Sequence, residues 1–220
     1  MTGAAALQRL FTWLSPAFPV GGFAWSQGLE TAIADRRVAT AAALQDWLVG
    51  ALAHGGLRTD AILLSHAAEA HADAAQLRDL ADLALALTPA SERHFETTLT
   101  GDAFIRAASA WPNDVFARLP DPCPYPVAVG AIAAAHGIGR HETLLAYLTA
   151  AIHAQISVAV RLVPLGQIAG LRIMATLEPA IAELADLAHT AGLDAIGSIF
   201  YAAEIAQMRH ESLGTRVFRS

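Results

Sequence analysis

Lysine is absent from this 220-residue chain: all fourteen basic residues are arginine, set against twenty acidic ones, for a formal net charge of −6. An acidic chain with no basic block offers little for nonspecific nucleic-acid binding. Cysteine occurs once, at Cys123, which excludes an internal disulfide framework and every multi-cysteine zinc or iron–sulfur centre. That usage suits a reducing cytosol. Charged residues are few, at 15%, while hydrophobic ones reach 55%, a balance that disordered chains do not have. Aromatics make up only 7% and β-branched residues are sparse, whereas alanine supplies nearly a quarter of the chain. Such an excess of undemanding helix formers predicts an all-α protein. A domain of this length buries roughly 70% of its unfolded surface, so residues 1–220 read as one domain that needs no metal or disulfide staple.

What is present in excess is apolar surface, with a mean hydropathy of +0.41. The longest uncharged stretch runs from Thr143 to Val160, close to the ~20 residues that a membrane helix requires. It carries His153 and Gln155 near its centre and lacks flanking Trp/Tyr belts. The first residues lack the charged n-region of a signal peptide. The expectation is a soluble cytoplasmic protein with no membrane span, whose apolar surface has a partner.

Helical stripes recur along the chain. Leu7, Leu10, Phe11 and Leu14 mark a first helix, stopped by Ser15-Pro16 and followed by a turn-rich Pro19-Val20-Gly21-Gly22. Thr40 caps a helix striped by Leu44, Trp47, Leu48 and Leu52 that Gly55-Gly56 ends, and another begins near Thr59-Asp60. Asp73 with Gln76 forms a variant capping box before Leu77, Leu80, Leu83 and Leu87. Thr88-Pro89 reads as the cap of a helix bearing Phe95, Leu99 and Ala103 on one face and ending at Trp111-Pro112. Five of the ten prolines fall in 112–126, a loop between two halves of one domain. Helices resume at about 127–136, 142–162, 165–177, 179–190 and 195–209. The pattern describes a compact irregular bundle of about ten short helices.

Chemical motifs are scarce. His66/His71 and His136/His141 are each five residues apart, about 140° around a helix and so on different faces. His210-Glu211 begins like HExxH, but Gly214 stands where the second histidine belongs. No dinucleotide or phosphate-binding loop is present. Ala24-Trp25-Ser26-Gln27-Gly28 is a degenerate nucleophile elbow without the strand that an elbow needs. A helical serine hydrolase built on Ser26 is the alternative this run offers, and without that strand Ser26 reads as a turn or cap residue. Three arginines, Arg209, Arg216 and Arg219, fall in the last twelve positions around Val217 and Phe218. This C-terminal tail, 209–220, reads from its residues equally as a frayed polar end or as a flexible segment that orders on a partner, with Phe218 filling a pocket there. One of its arginines could also act in trans on a GTPase.

Several runs resemble one known family. Ser15-Pro16-Ala17-Phe18-Pro19-Val20-Gly21-Gly22-Phe23-Ala24-Trp25-Ser26-Gln27-Gly28-Leu29-Glu30 is similar to the N-terminal signature of the urease accessory UreF family, although Phe18 and Trp25 stand where that pattern more often has Leu and Tyr. The likeness continues through Ser91-Glu92-Arg93, Pro126–Gly130 and Arg161–Gln167, and ends on Met208-Arg209-His210-Glu211 and Thr215–Ser220. The resemblance implies an all-α, usually dimeric, non-catalytic protein. It would act with a UreD/UreH-type scaffold and the GTPase UreG to load nickel into apo-urease, with no tightly bound cofactor of its own. It directs attention to Pro19, Gly21, Gly22, Phe23, Trp25, Ser26, Gly28 and Glu30, and to Arg209, His210, Glu211, Arg216, Phe218, Arg219 and Ser220, as the expected partner-binding residues.

Overall fold

The structure, a computed structural model, describes residues 3–220. Among them are ten α-helices and no strand. They are α1 (Ala4–Trp13), α2 (Leu29–Ala34), α3 (Ala41–His54), α4 (Gly56–Glu69), α5 (Ala74–Ala86), α6 (Ser91–Ala108), α7 (Tyr125–Ala135), α8 (Arg140–Leu162), α9 (Gln167–Thr190) and α10 (Tyr201–His210). Short 3₁₀ turns occupy Gly22–Ala24, Asp114–Ala117 and Leu193–Ala195.

The centre is the crossing of α4 and α7. Helix α7 is apolar on every side and buried from Pro126 to Ala133, as a helix without a polar face must be. Gly130 brings the two backbones together: a Cβ there would lie 2.2 Å from the Leu64 carbonyl oxygen. Gly101 does the same for α6 and the proline-rich loop, where a Cβ would sit 2.0 Å from the Cys123 carbonyl oxygen. Around this centre α8 packs along α9, α3 lies on α9, and the short α2 is clasped between α8 and α10. Helix α8 is long and apolar enough to cross a membrane, but half of its apolar window is buried inside the fold.

The caps form where the sequence predicts them. The Thr40 side chain accepts from Ala43 N–H, and Asp73 accepts from the N–H groups of Ala75 and Gln76. Other features differ. Thr88 donates back to Ala84 C=O, and α6 starts two residues beyond Pro89 with Ala90 as its N-cap. The two helices expected over 165–177 and 179–190 are one, α9, over 167–190. Pro179 lies exposed in mid-helix, so the carbonyl that loses its donor faces water, while Ile173, Leu177, Ile181 and Leu184 line the opposite, buried face. Burying four such side chains, at about 1.5–3 kcal/mol each, outweighs the roughly 3 kcal/mol that an internal proline costs. The segment 195–209 yields only α10, because Ile199 and Phe200 donate to the His54 carbonyl instead of extending a helix.

Two helices turn the opposite way from their most obvious stripe. In α1 the buried residues are Ala6, Leu10 and Trp13, while Leu7 and Phe11 face outward. Trp13 decides this: its ring packs edge-on against Phe104, Trp111 and His136. In α6, Phe95 and Leu99 are exposed, and the buried face carries Glu96, Thr97, Thr100, Gly101 and Phe104. The interior contacts that select this face are polar.

Candidate docking site

The N-terminal signature and the C-terminal tail meet. The loop from Ser15 runs through Gly21 (φ +74°) and the turn Gly22–Ala24 to Gly28 (φ +80°) and then into α2. Gly28 is required twice, for its positive φ and because a Cβ would meet Gln207 N of α10 at 2.8 Å. Gly21 has open space around it, so conformation alone asks for glycine there.

Ser26 is fully buried. Its hydroxyl donates to the Ser220 carbonyl and accepts from Glu30 N–H at 3.2 Å, and its own N–H reaches the same Ser220 oxygen at 2.8 Å. The hydroxyl proton is thus committed to the main-chain oxygen of Ser220; no imidazole or side-chain carboxylate takes it, and no strand precedes it. Ser26 is an anchor for the tail.

Glu30 is the floor of the seat. Its Oε1 accepts from Val217 N–H at 2.7 Å and its Oε2 from Phe218 N–H at 2.9 Å. Oε2 also faces His210 Nε2 at 3.0 Å, while His210 Nδ1 lies 2.7 Å from Glu92 Oε2 on α6. Glu92 Oε1 holds Arg216 at 2.7 Å. Arg209 forks onto Asp35, and Ser91 donates to Glu211. Along the tail, Arg219 N–H pairs with the Ala24 carbonyl at 2.8 Å, its guanidinium lies over Trp25, and Arg161 lies over Phe218. The tail therefore departs from the expectation of a flexible segment: it is docked on its own body, with Phe218 only 5% exposed. The carboxylate acceptors that await it, Glu30 in α2 and Glu92 in α6, offset the entropy of ordering it.

Behind the loop is a cavity of about 410 Å³ lined by Trp13, Phe18, Trp25, Tyr125 and Tyr147, with Arg93 and Glu96 among its walls. Arg93 pairs with Asp60 at 2.6 Å and Glu96 at 3.5 Å. Burial works against the Arg93 charge, yet Glu96 and Asp60 together hold the group more firmly protonated than usual. Burial raises Glu96 above the ordinary carboxylate range despite Arg93 and the hydrogen bond from Gln27. Tyr125 is raised by burial, and Tyr147 by burial and by Asp60. Burial, with Asp102 and Asp121 nearby, pushes the Cys123 thiol up to about 12, leaving it unreactive. Among the described residues no three histidine, cysteine or acidic side chains converge as a metal would require.

The family profile of UreF matches residues 38–178. Over its whole length the chain is 50% identical, across 219 residues, to the urease accessory protein UreF of Agrobacterium fabrum, covering 98% of that protein. It is 48% identical across 223 residues to the same-named protein of Rhizobium etli strain CIAT 652, covering all of both, and 48% identical across 223 residues to that of Rhodopseudomonas palustris strain BisB5, covering 98% of this chain and 92% of the other. The chain belongs to the UreF family.

For this UreF-family chain the expected binding residues divide by exposure. Trp25, Ser26, Gly28, Glu30, His210, Phe218 and Ser220 are buried and build the seat. Pro19, Phe23, Arg209, Glu211, Arg216 and Arg219 face outward, while Gly21 and Gly22 are half-buried beside the cavity. Sequence reasoning gave no separate role to Glu92, Gln27, Asp35 or Arg161. Gln27 stood within the noted Ser15–Glu30 run, Glu92 within Ser91-Glu92-Arg93 and Arg161 within Arg161–Gln167, while Asp35 lay in none of them. Val217 is 65% exposed between Arg216 and Arg219, and a shallow groove is lined by the outward Phe95 and Leu99 with Glu92, Arg216 and Arg219.

Proposed function

We propose that this chain serves urease maturation as a non-catalytic assembly factor. The observation that carries the reading is its end-to-end identity of about one half to proteins named urease accessory protein UreF. The same reading holds that it works in the cytoplasm as a homodimer, bridges a UreD/UreH-type scaffold and the GTPase UreG, and helps nickel reach apo-urease as cargo of the assembled complex. The face built by the loop and the docked tail supports a docking role, since it sets arginines beside exposed Phe23, Phe95, Leu99 and Val217, the pairing of charge and apolar anchor found at interface hot spots. Co-expression of apo-urease and its accessory proteins with and without this chain, reading urease activity and bound nickel, tests it. Nickel loading that is indifferent to the chain refutes it.

A second reading, an arginine supplied in trans to a GTPase, is favoured at Arg219. Among the described residues Arg209 and Arg216 are held in ion pairs with Asp35 and Glu92, whereas Arg219 forms none and is exposed. Arg219→Ala should then slow GTP hydrolysis in the assembled complex at least tenfold without weakening assembly, a loss of about 1.4 kcal/mol of transition-state stabilisation.

A further inference from the structure

His210 is fully buried, and each of its ring nitrogens faces a carboxylate oxygen, Glu92 Oε2 at 2.7 Å and Glu30 Oε2 at 3.0 Å. A carboxylate only accepts hydrogen bonds, and a neutral imidazole has only one N–H. A neutral ring would therefore set a bare nitrogen lone pair against a carboxylate with no water between them. Either the ring carries both protons or one glutamate carries one. The remaining partners decide between these. Glu30 also receives the N–H groups of Val217 and Phe218, and Glu92 receives the Arg216 guanidinium. Every contact on both carboxylates is a donor, the setting of an ionised carboxylate.

We propose that His210 is held as an imidazolium and is the positioning residue that fixes the tail, so that the surface formed by Arg216, Val217 and Arg219 exists only while that proton is bound. The charges around it then close: Glu30 from α2 and Glu92 from α6 oppose His210 from α10 and Arg216 from the tail. The neighbouring charges on either side of His210 are engaged elsewhere, Arg209 with Asp35 and Glu211 with Ser91. Loss of the proton leaves two carboxylates, Glu30 buried and Glu92 half-buried, facing one cation and turns one ring nitrogen from donor to acceptor. The Glu30 contacts to Val217 and Phe218 sit on the same carboxylate, Phe218 on the oxygen that also faces His210, so the tail lets go with the ring. The sign follows: the tail is held at lower pH and released as pH rises. Where a free histidine is neutral, the docked form binds one proton more than the released form, and docking weakens about tenfold per pH unit. The use of this surface by partners rests on the function proposed above; the proton requirement belongs to the chain alone and is tested on it alone.

The test is nitrogen-15 NMR of the imidazole side chains in the full chain, with hydrogen exchange of the Val217 and Phe218 amides. The exchange is corrected for intrinsic rate and referenced to amides of α4. The expected result is a doubly protonated His210 at neutral pH and protection at 217–218 that falls about tenfold per unit as pH rises. In Glu92→Gln the side-chain amide can donate to the ring, so the ring should read as neutral and the pH slope should disappear. In His210→Gln protection should be low and flat with pH. A neutral His210 in the native chain at neutral pH overturns the proposal. So does a native pH slope that persists in Glu92→Gln, and that variant serves equally if His210→Gln does not fold.

Discussion

The crossing of α4 and α7 and the seat of the tail solve opposite problems. At the crossing the contact is largely apolar and is made by backbones that Gly130 and Ala67 allow to approach. At the seat, between α2, α6, α10 and the tail, the contacts are carboxylates, arginines and one histidine drawn from positions far apart in sequence. The first region is held by packing, which forgives no added volume. The second is held by directional bonds, each of which can be removed singly while the others persist. The comparison teaches where this chain stores stability and where it stores form.

The sharpest way to break it is Gly130→Ala. In an ordinary helix this change gains about 1 kcal/mol. Here the new Cβ meets the Leu64 carbonyl oxygen, and we expect a net loss of roughly 3–4 kcal/mol by denaturant unfolding. A gain would mean that α4 and α7 are loosely packed.

Truncation after Ser212 attacks the other region. A frayed terminus would be lost without consequence. This tail buries Phe218 and satisfies Glu30 and Ser26, so its removal should cost roughly 2 kcal/mol net of the ordering entropy it releases. For a chain of this size that is a fall of about 4–8 °C in melting temperature, with helical circular dichroism preserved. An unmoved melting curve would show that the seat contributes nothing.

Ser26→Ala is smaller. It deletes the hydroxyl contact to Ser220 but leaves the Ser26 N–H in place on the same oxygen, so about 1 kcal/mol should be lost in thermal unfolding. Activation of urease in co-expression should stay within about tenfold, as an anchor rather than a nucleophile requires.

The smallest effect is expected at Glu96. Its carboxyl is raised above the ordinary value of 4.5 by burial, so in the window just above 4.5 the folded chain holds a proton that the unfolded chain has released. Stability therefore falls as pH rises through that window, and Glu96→Gln should flatten the fall while changing stability at neutral pH by less than about 1 kcal/mol. Urea unfolding at several pH values measures both. A native profile unchanged by the substitution would remove Glu96 as its source.

The apolar region was the legible one. The run from Val127 to Ala135, the long α8 and the caps at Thr40 and Asp73 follow from local pattern, because what decides them lies within one turn of helix. The faces of α1 and α6 were not, because Trp13 and Arg93 choose them through partners 91 or more residues away from Trp13 and 33 residues away from Arg93. Pro179 looked like a boundary because its cost is local, while the buried row that overrides it is spread over α9. The tail residues could be picked out by type and by family likeness. Their destination could not, since Glu30 and Ser26 carry no mark in the sequence that pairs them with Phe218 and Ser220.

That pairing has a temporal side. Phe218 N–H binds Glu30 across 188 positions. At a synthesis rate of roughly 5–20 residues per second, Glu30 is made about 10–40 s before its occupant exists. The helices between them can assemble in that interval, leaving a folded body with an open acidic notch formed by Glu30 and Glu92. Arg216, Val217 and Phe218 close it once they are made. A nascent chain arrested short of Phe218, or a mature one clipped there by a protease, differs from the finished protein less in its helices than in whether that notch stands open.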